Sequence, residues 1–298
     1  MTVKEYIDKG LVGLLPLYGK EEAKSLLMMV LEHYARLPAH IYYTDPNRML
    51  PSSCLSDIQK ALGDLNRAKP VQYILGKTFF EGCTINVQEG VLIPRPETEE
   101  LVRWAKSELK ERPSKNLYIL DACTGSGAIA ITLAKAFPQA KVYGIDICEK
   151  ALGIAKENNA LNNTEAHFLK ADMLQPPDLP ALSWQPHTFD LIISNPPYIG
   201  ESEKTSMHPN VLNYEPHRAL FVPDHDLLLF YRALADWGAL LLTDNGLLMV
   251  EINEKMSKEL RSLLAHKGYS SVQVRKDLHE KPRMCYALKT FSRPQSKA

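Results

Sequence analysis

No stretch of the chain carries the roughly 20 consecutive apolar residues that a membrane-spanning helix requires, so no part of it is expected to cross a bilayer. The apolar run over 11–17 follows Glu5, Asp8 and Lys9 and is not followed by a small-residue cleavage site, which fits an amphipathic first helix rather than a signal peptide. Net charge is also missing: 35 Lys and Arg offset 35 Asp and Glu. Without a positive field there is little to hold a nucleic acid backbone by counterion release, and direct nucleic acid binding is not expected. Cysteine is sparse, with Cys54, Cys83, Cys123, Cys148 and Cys285 far apart and no C-x-x-C pair. That pattern argues against zinc or dithiol redox chemistry and fits reduced thiols in a cytoplasm. The nine histidines are dispersed without an H-E-x-x-H, so no metal site is expected. The sequence also contains no G-x-G-x-x-G, internal repeat or low-complexity tract.

What is present is ordinary globular material, 45% apolar and 23% charged, and at 298 residues the chain suits one large domain plus a smaller one. Helical patterns over 3–15, 20–37 and 53–67 are separated by breakers such as Asp45-Pro46-Asn47. Leu26, Leu27, Val30, Leu31 and Tyr34 fall on one helix face, so a small helical bundle is expected over 1–75. Between 71 and 93 the texture turns β-branched and aromatic with Gly76, Gly82 and Gly90 at turns, which predicts two short strands, a hairpin linker over 76–93. Pro94-Arg95-Pro96 and the acidic Glu97-Thr98-Glu99-Glu100 then open a helix and a second domain, 94–298. From there strand and helix signals alternate to the end, which predicts parallel strands with crossover helices, an α/β doubly wound, Rossmann-like sheet.

Three places in that domain can carry chemistry. The first is Asp121-Ala122-Cys123-Thr124-Gly125-Ser126-Gly127, between a strand over 117–120 and the next helix. Its glycines let the backbone approach a ligand, and the helix start offers free N–H groups. Asp146 ends the following strand, where a carboxylate can accept hydrogen bonds from both ribose hydroxyls. The second is Asp172-Met173 beyond the strand over 167–169, placed to accept from an adenine amino group and to pack on the ring. The third is Asn195-Pro196-Pro197-Tyr198 after the apolar strand over 189–194. Its prolines stiffen the backbone so that the Asn195 side-chain carbonyl and the Pro196 main-chain carbonyl form two fixed acceptors for an NH2 group, with Tyr198 as a flat stacking face. An amide nitrogen is a poor nucleophile because its lone pair is delocalised. Accepting its N–H bonds returns electron density to nitrogen, and a sulfonium methyl donor is already activated, so orientation and electrostatics can supply most of the catalysis.

These motifs resemble those of the peptide chain release factor glutamine methyltransferases, also called the HemK family. The resemblance spans nearly the whole chain. It rests on Pro70-Val71-Gln72-Tyr73-Ile74-Leu75-Gly76, Val91-Leu92-Ile93-Pro94-Arg95-Pro96-Glu97-Thr98-Glu99, Thr124-Gly125-Ser126-Gly127, Asn195-Pro196-Pro197-Tyr198-Ile199, and Glu215-Pro216 with Ala219-Leu220. It implies a class I methyltransferase domain using S-adenosyl-L-methionine, and methylation at N5 of the glutamine in the Gly-Gly-Gln motif of class-I release factors. The helical N-terminal domain would help grip that factor. By position it places Cys123, Thr124, Gly125, Ser126, Gly127, Asp146, Asp172, Met173 and Asn195 at the cofactor, and Asn195, Pro196, Pro197 and Tyr198 at the substrate amide. Cys123 stands where the family usually has glycine, Met173 where an aromatic is common, and Asn253 replaces the glycine of E-I-G. The alternative reading is an adenine-N6 nucleic acid methyltransferase, which needs the same NH2-accepting pocket but also a flipped base and a phosphate-binding surface.

Overall fold

The computed structural model describes residues 1–112 and 116–290; the remainder of the domain expected over 94–298 lies outside the described residues. The chain forms two compact units, Met1–Lys77 with Met207–Tyr214, and Thr78–Ser206 with Glu215–Ala298.

The first unit is helical. Its opening helix α1 (Val3–Leu14) starts at a reciprocal cap, the Thr2 hydroxyl accepting from the Glu5 N–H while the Glu5 carboxylate accepts from the Thr2 N–H. Val3, Tyr6, Ile7, Gly10 and Leu14 form its buried face. Gly10 lets α1 approach closely there: a Cβ would stand 2.5 Å from a methyl of Leu27 on α2 (Lys20–Ala35), which would have to move. Helices α3 (Ile41–Thr44), α4 (Leu55–Leu65) and α5 (Val71–Leu75) follow, and Ile58, Ala61 and Leu65 of α4 join the same core. Helix α5 corrects the strand expected from residue 71. Pro70 starts it, Gly76 ends it at φ 74°, and the Tyr34 hydroxyl of α2 holds the Ile74 carbonyl. Burial of Val71 and Tyr73 thus outweighs the β-leaning texture of the segment. From the distant segment Met207–Tyr214, the Tyr214 hydroxyl donates to the Arg67 carbonyl.

The second unit begins with the hairpin β1 (Lys77–Phe80) and β2 (Cys83–Asn86), then α6 (Pro96–Lys110). Then come β3 (Tyr118–Ala122), α7 (Ala128–Ala136), β4 (Lys141–Asp146), α8 (Glu149–Leu161), β5 (His167–Lys170), the turn α9 (Leu179–Leu182), β6 (Phe189–Ser194) and β7 (Ile199–Gly200). After α10 (Pro209–Leu212), which lies in the first unit, the chain continues through β8 (Phe221–Val222), α11 (Leu229–Leu241), β9 (Leu242–Glu251), α12 (Ser257–His266), β10 (Tyr269–Lys276) and β11 (Pro282–Lys289). The seven-stranded sheet has the order β10-β11-β9-β6-β3-β4-β5. From β9 to β5 the pairs are parallel, as expected, but β11 runs antiparallel to both neighbours, so the sheet is mixed. Helix α12 returns the chain to the edge strand β10, and the short turn after β10 folds β11 back into the gap beside β9. The central strands are nearly continuous apolar runs, buried on both faces as parallel strands between helices must be.

The hairpin read as a linker is instead built into this unit. Asn158 on α8 accepts from the Asn86 N–H and donates to the Asn86 carbonyl, and Asn162, one turn on, does the same for Thr84. Four helical residues rise about 6 Å, close to the roughly 6.6 Å of two strand residues, so two asparagines at that spacing stand in for a neighbouring strand.

The chain crosses from one side of β3 to the other between β5 and β6, which opens a crevice at the carboxyl ends of the parallel strands. The register places Ala122 beside Ser194, and Ser194 beside Val250. Cys123, Asn195 and Glu251 therefore leave the sheet at one level.

Candidate active site

At that level lies a cavity of about 330 Å³, within the range of small-molecule sites. Of the residues singled out in the sequence, Cys123, Gly125, Asp146, Asp172, Met173, Asn195 and Pro197 line it. Gly125 at φ 54° and Gly127 at φ 82° take left-handed backbone in the turn after β3, and Gly127 also faces Ala155 and Ile131, where a Cβ would come within 3.0 Å. Cys123 shares the left-handed conformation at φ 60°. The loop is held from below by Asp121, whose carboxylate accepts from the Thr124 hydroxyl and the Ala130 N–H. Its other oxygen is buried without a partner, and burial pushes the Asp121 carboxyl up to about 7.

The Asp146 carboxylate accepts the Gly125 N–H on one oxygen and the Cys148 N–H on the other, both at 2.9 Å. Each oxygen keeps a lone pair for a ligand. Asp172 accepts the Leu174 N–H through one oxygen. Burial first, and then the charges of Asp146, Asp121 and Asp172, hold the Cys123 thiol well above its ordinary range.

Asn195 follows β6, and its NH2 group donates at 3.0 Å to the hydroxyl of Thr98 at the start of α6. No described residue donates to its Oδ1. Tyr198 does not line the cavity: its hydroxyl donates to the buried Glu251 and its ring packs against the sheet core, which corrects the stacking face expected of it. Burial first, and then the Glu251 charge, raise the Tyr198 hydroxyl well above its ordinary range. Thr124, Ser126, Gly127 and Pro196 also stay off the cavity wall, forming the turn or lying in the packed interior behind it.

Other walls were not singled out as site residues. Gly90, Val91 and Leu92 form one, and Pro216, Arg218 and Ala219 another. Glu215 fastens these two segments, accepting the Ile93 N–H and pairing with Arg95 from a buried position. Val91, Leu92, Pro216 and Ala219 belong to the stretches that carry the family resemblance, but without a role assigned to them; Gly90 and Arg218 lie just outside those stretches. Asn253 had no role assigned from sequence; its side chain donates to the Tyr198 carbonyl and to Glu203.

A family model described as a methyltransferase domain matches residues 113–286. A release factor glutamine methyltransferase from Flavobacterium psychrophilum is 41% identical over 285 residues, covering 95% of this chain and 98% of that protein. Its counterpart in Bacteroides thetaiotaomicron is 39% identical over 271 residues, covering 91% and 94%. This chain belongs to the release factor glutamine methyltransferase family. A solved methyltransferase structure from Pyrococcus furiosus is similar with a TM-score of 0.49 and 19% identity, covering 70% of this chain and 90% of that one.

As a methyltransferase of this family the chain uses S-adenosyl-L-methionine, and the cavity carries acceptors and apolar wall that could hold such a molecule. Asp146 offers two carboxylate oxygens to a ribose diol, Asp172 has a free oxygen for an amino group, and Met173, Ile147 and Ala151 supply apolar wall.

Proposed function

We propose that this protein methylates the side-chain amide nitrogen, N5, of the glutamine in the Gly-Gly-Gln motif of class-I peptide chain release factors. The observation that carries this reading is Asn195, which lines the cavity and whose NH2 is taken by Thr98, so that its carbonyl oxygen is the polar atom left for a substrate NH2. Bound S-adenosyl-L-methionine supplies a methyl group activated on a sulfonium. The protein's part is to hold the amide in line and to accept an N–H bond at Asn195 Oδ1. Such hydrogen bonds push density onto the nitrogen that the amide resonance withdraws, and pre-set dipoles do so without reorganisation.

In this reading Cys123, Gly125, Asp146, Asp172 and Met173 form the cofactor side of the site, with Thr124, Ser126 and Gly127 shaping the turn behind them, Asn195 and Pro197 form the substrate side, and the helical N-terminal unit grips the release factor. A protein substrate in translation and five free cysteines support a cytoplasmic setting. No helix among the described residues is long and apolar enough to cross a membrane. Net charge of zero disfavours a nucleic acid substrate.

The test is transfer from methyl-labelled S-adenosyl-L-methionine to a class-I release factor, beside a variant in which the glutamine of its Gly-Gly-Gln is alanine. Label on the first alone is the expected result. Label on neither, with nucleic acid accepting it instead, would replace this reading by adenine methylation.

A further inference from the structure

An asparagine amide has two ends of similar size and opposite hydrogen-bond sense, so shape alone does not decide which end faces a cavity. In this protein the choice is settled one step behind the site. Glu251 ends β9 with only 1% of its surface exposed. Its Oε2 accepts from the Thr98 hydroxyl at 2.6 Å, and its Oε1 accepts from the Tyr198 hydroxyl at 2.8 Å. The shorter contact has the length of a charge-assisted O–H···O⁻ bond. A hydroxyl has one proton. Once Thr98 gives it to Glu251, its oxygen can only accept, and the group facing it at 3.0 Å has to be a donor. That donor is the Asn195 NH2, and the Asn195 carbonyl is turned to the cavity.

We infer that Glu251, acting through Thr98, is the positioning device that sets the sense of the Asn195 amide and so presents an acceptor to the substrate nitrogen; the inference rests on the methyl transfer proposed above. Neither Glu251 nor Thr98 lines the cavity, so they act through Asn195 rather than on substrate. The same carboxylate holds the far end of the motif through Tyr198, whose main-chain carbonyl is held in turn by Asn253. Both ends of Asn195-Pro196-Pro197-Tyr198 are therefore tied to a single buried charge. Burial raises the Glu251 carboxyl above its ordinary range, opposed by the two hydroxyls that donate to it and by the Arg283 charge; in its ionised form it polarises the chain of hydrogen bonds in the direction that makes Asn195 Oδ1 a better acceptor.

Three variants test the device. Thr98→Val keeps the shape and deletes the hydroxyl. Thr98→Ser keeps the hydroxyl. Glu251→Gln keeps the shape but replaces one of two acceptor oxygens by a donor, so one of the two hydroxyls must reverse. Steady-state methylation of a release factor is measured for each, with melting temperature and calorimetric affinity for S-adenosylhomocysteine. The expected result is a kcat lowered on the order of 10- to 100-fold in Thr98→Val and Glu251→Gln, the scale of disturbing one preorganised polar group. KM for the release factor and affinity for S-adenosylhomocysteine should change less than about threefold, and Thr98→Ser should recover kcat to within about threefold of the natural protein. The inference is overturned if Thr98→Val turns over normally, if Ser and Val at position 98 fall equally, or if the loss lies in cofactor affinity. Should Glu251→Gln not fold, the two variants at Thr98 decide alone. A natural protein that transfers no methyl to any release factor removes the function reading itself, and this inference with it; an active natural protein with an unaffected Thr98→Val removes only the inference.

Discussion

Replacing Asn158 by alanine should cost the second unit about 3 kcal/mol, and the structure shows where that comes from. Asn158 is completely buried and makes three hydrogen bonds: it accepts the Asn86 N–H at 2.7 Å and donates to the carbonyls of Asn86 at 3.0 Å and Ser126 at 2.9 Å. The Ser126 carbonyl sits in a buried residue and loses its Asn158 donor in the variant, a loss worth about 1–3 kcal/mol. The two bonds to the half-buried Asn86 are worth about 0.5–1.5 kcal/mol each, because water can replace them in part. Asn162→Ala removes the corresponding pair at Thr84 and a bond to the Asn158 main-chain carbonyl without touching the glycine turn, and should cost only about 1–2 kcal/mol because Asn162 is half-buried and water can replace its bonds in part. All three tryptophans, Trp104, Trp184 and Trp237, lie in the second unit, so urea unfolding followed by tryptophan fluorescence reports on that unit. Because Ser126 belongs to the cofactor turn, Asn158→Ala should also weaken S-adenosylhomocysteine binding while Asn162→Ala leaves it nearly unchanged. A cost below about 1 kcal/mol for Asn158→Ala, or equal costs for the two variants, would refute the view that the hairpin is clamped by side chains standing in for a strand.

Asn195→Ala should lower methyl transfer by roughly 100-fold or more with an unchanged melting temperature, since it removes the acceptor but no core packing; transfer assays beside thermal unfolding check this. Asp146→Ala should weaken S-adenosylhomocysteine about 10- to 100-fold in calorimetry, because it deletes the proposed ribose acceptors and frees the Gly125 and Cys148 N–H groups. Asp121 gives a pH dependence. Its folded-state carboxyl, at about 7, is raised above the ordinary 3.8, so the folded protein binds the proton more tightly than the unfolded chain. Its contribution to stability is fully present below pH about 4 and is lost as pH rises toward 7, by up to roughly 4 kcal/mol at ~1.4 kcal/mol per pH unit. Denaturation at pH 5 and pH 8 should show a fall in the natural protein that is largely absent in Asp121→Asn; equal slopes would contradict the assignment.

Local chain chemistry determined a good deal by itself. The alternation of strand and helix signals follows from periodicity, and the glycine turn after β3 and the stiff Asn195-Pro196-Pro197 corner follow from backbone freedom and its removal, so the α/β order and the positions of the candidate residues could be read from sequence. Position on the chain is not direction in space. Thr98 and Asn195 are 97 residues apart, Thr98 and Glu251 are 153 apart, and no local rule joins them. Tyr198 looked like a stacking face because a phenol ring is flat, but folding offered its hydroxyl a buried carboxylate, and an unpaired hydroxyl in a packed interior is costly. Tertiary burial likewise turned the β-leaning Val71–Leu75 into a helix and drew the hairpin onto α8. The antiparallel β11 depends on the place between β9 and β10 that it fills in the sheet, which no local signal encodes. Sequence was enough to nominate which groups could carry the chemistry, because their types and local backbone are encoded within a few residues. Only the tertiary structure decided which way those groups point, because a hydrogen bond's direction depends on the partner that distant parts of the chain bring to it.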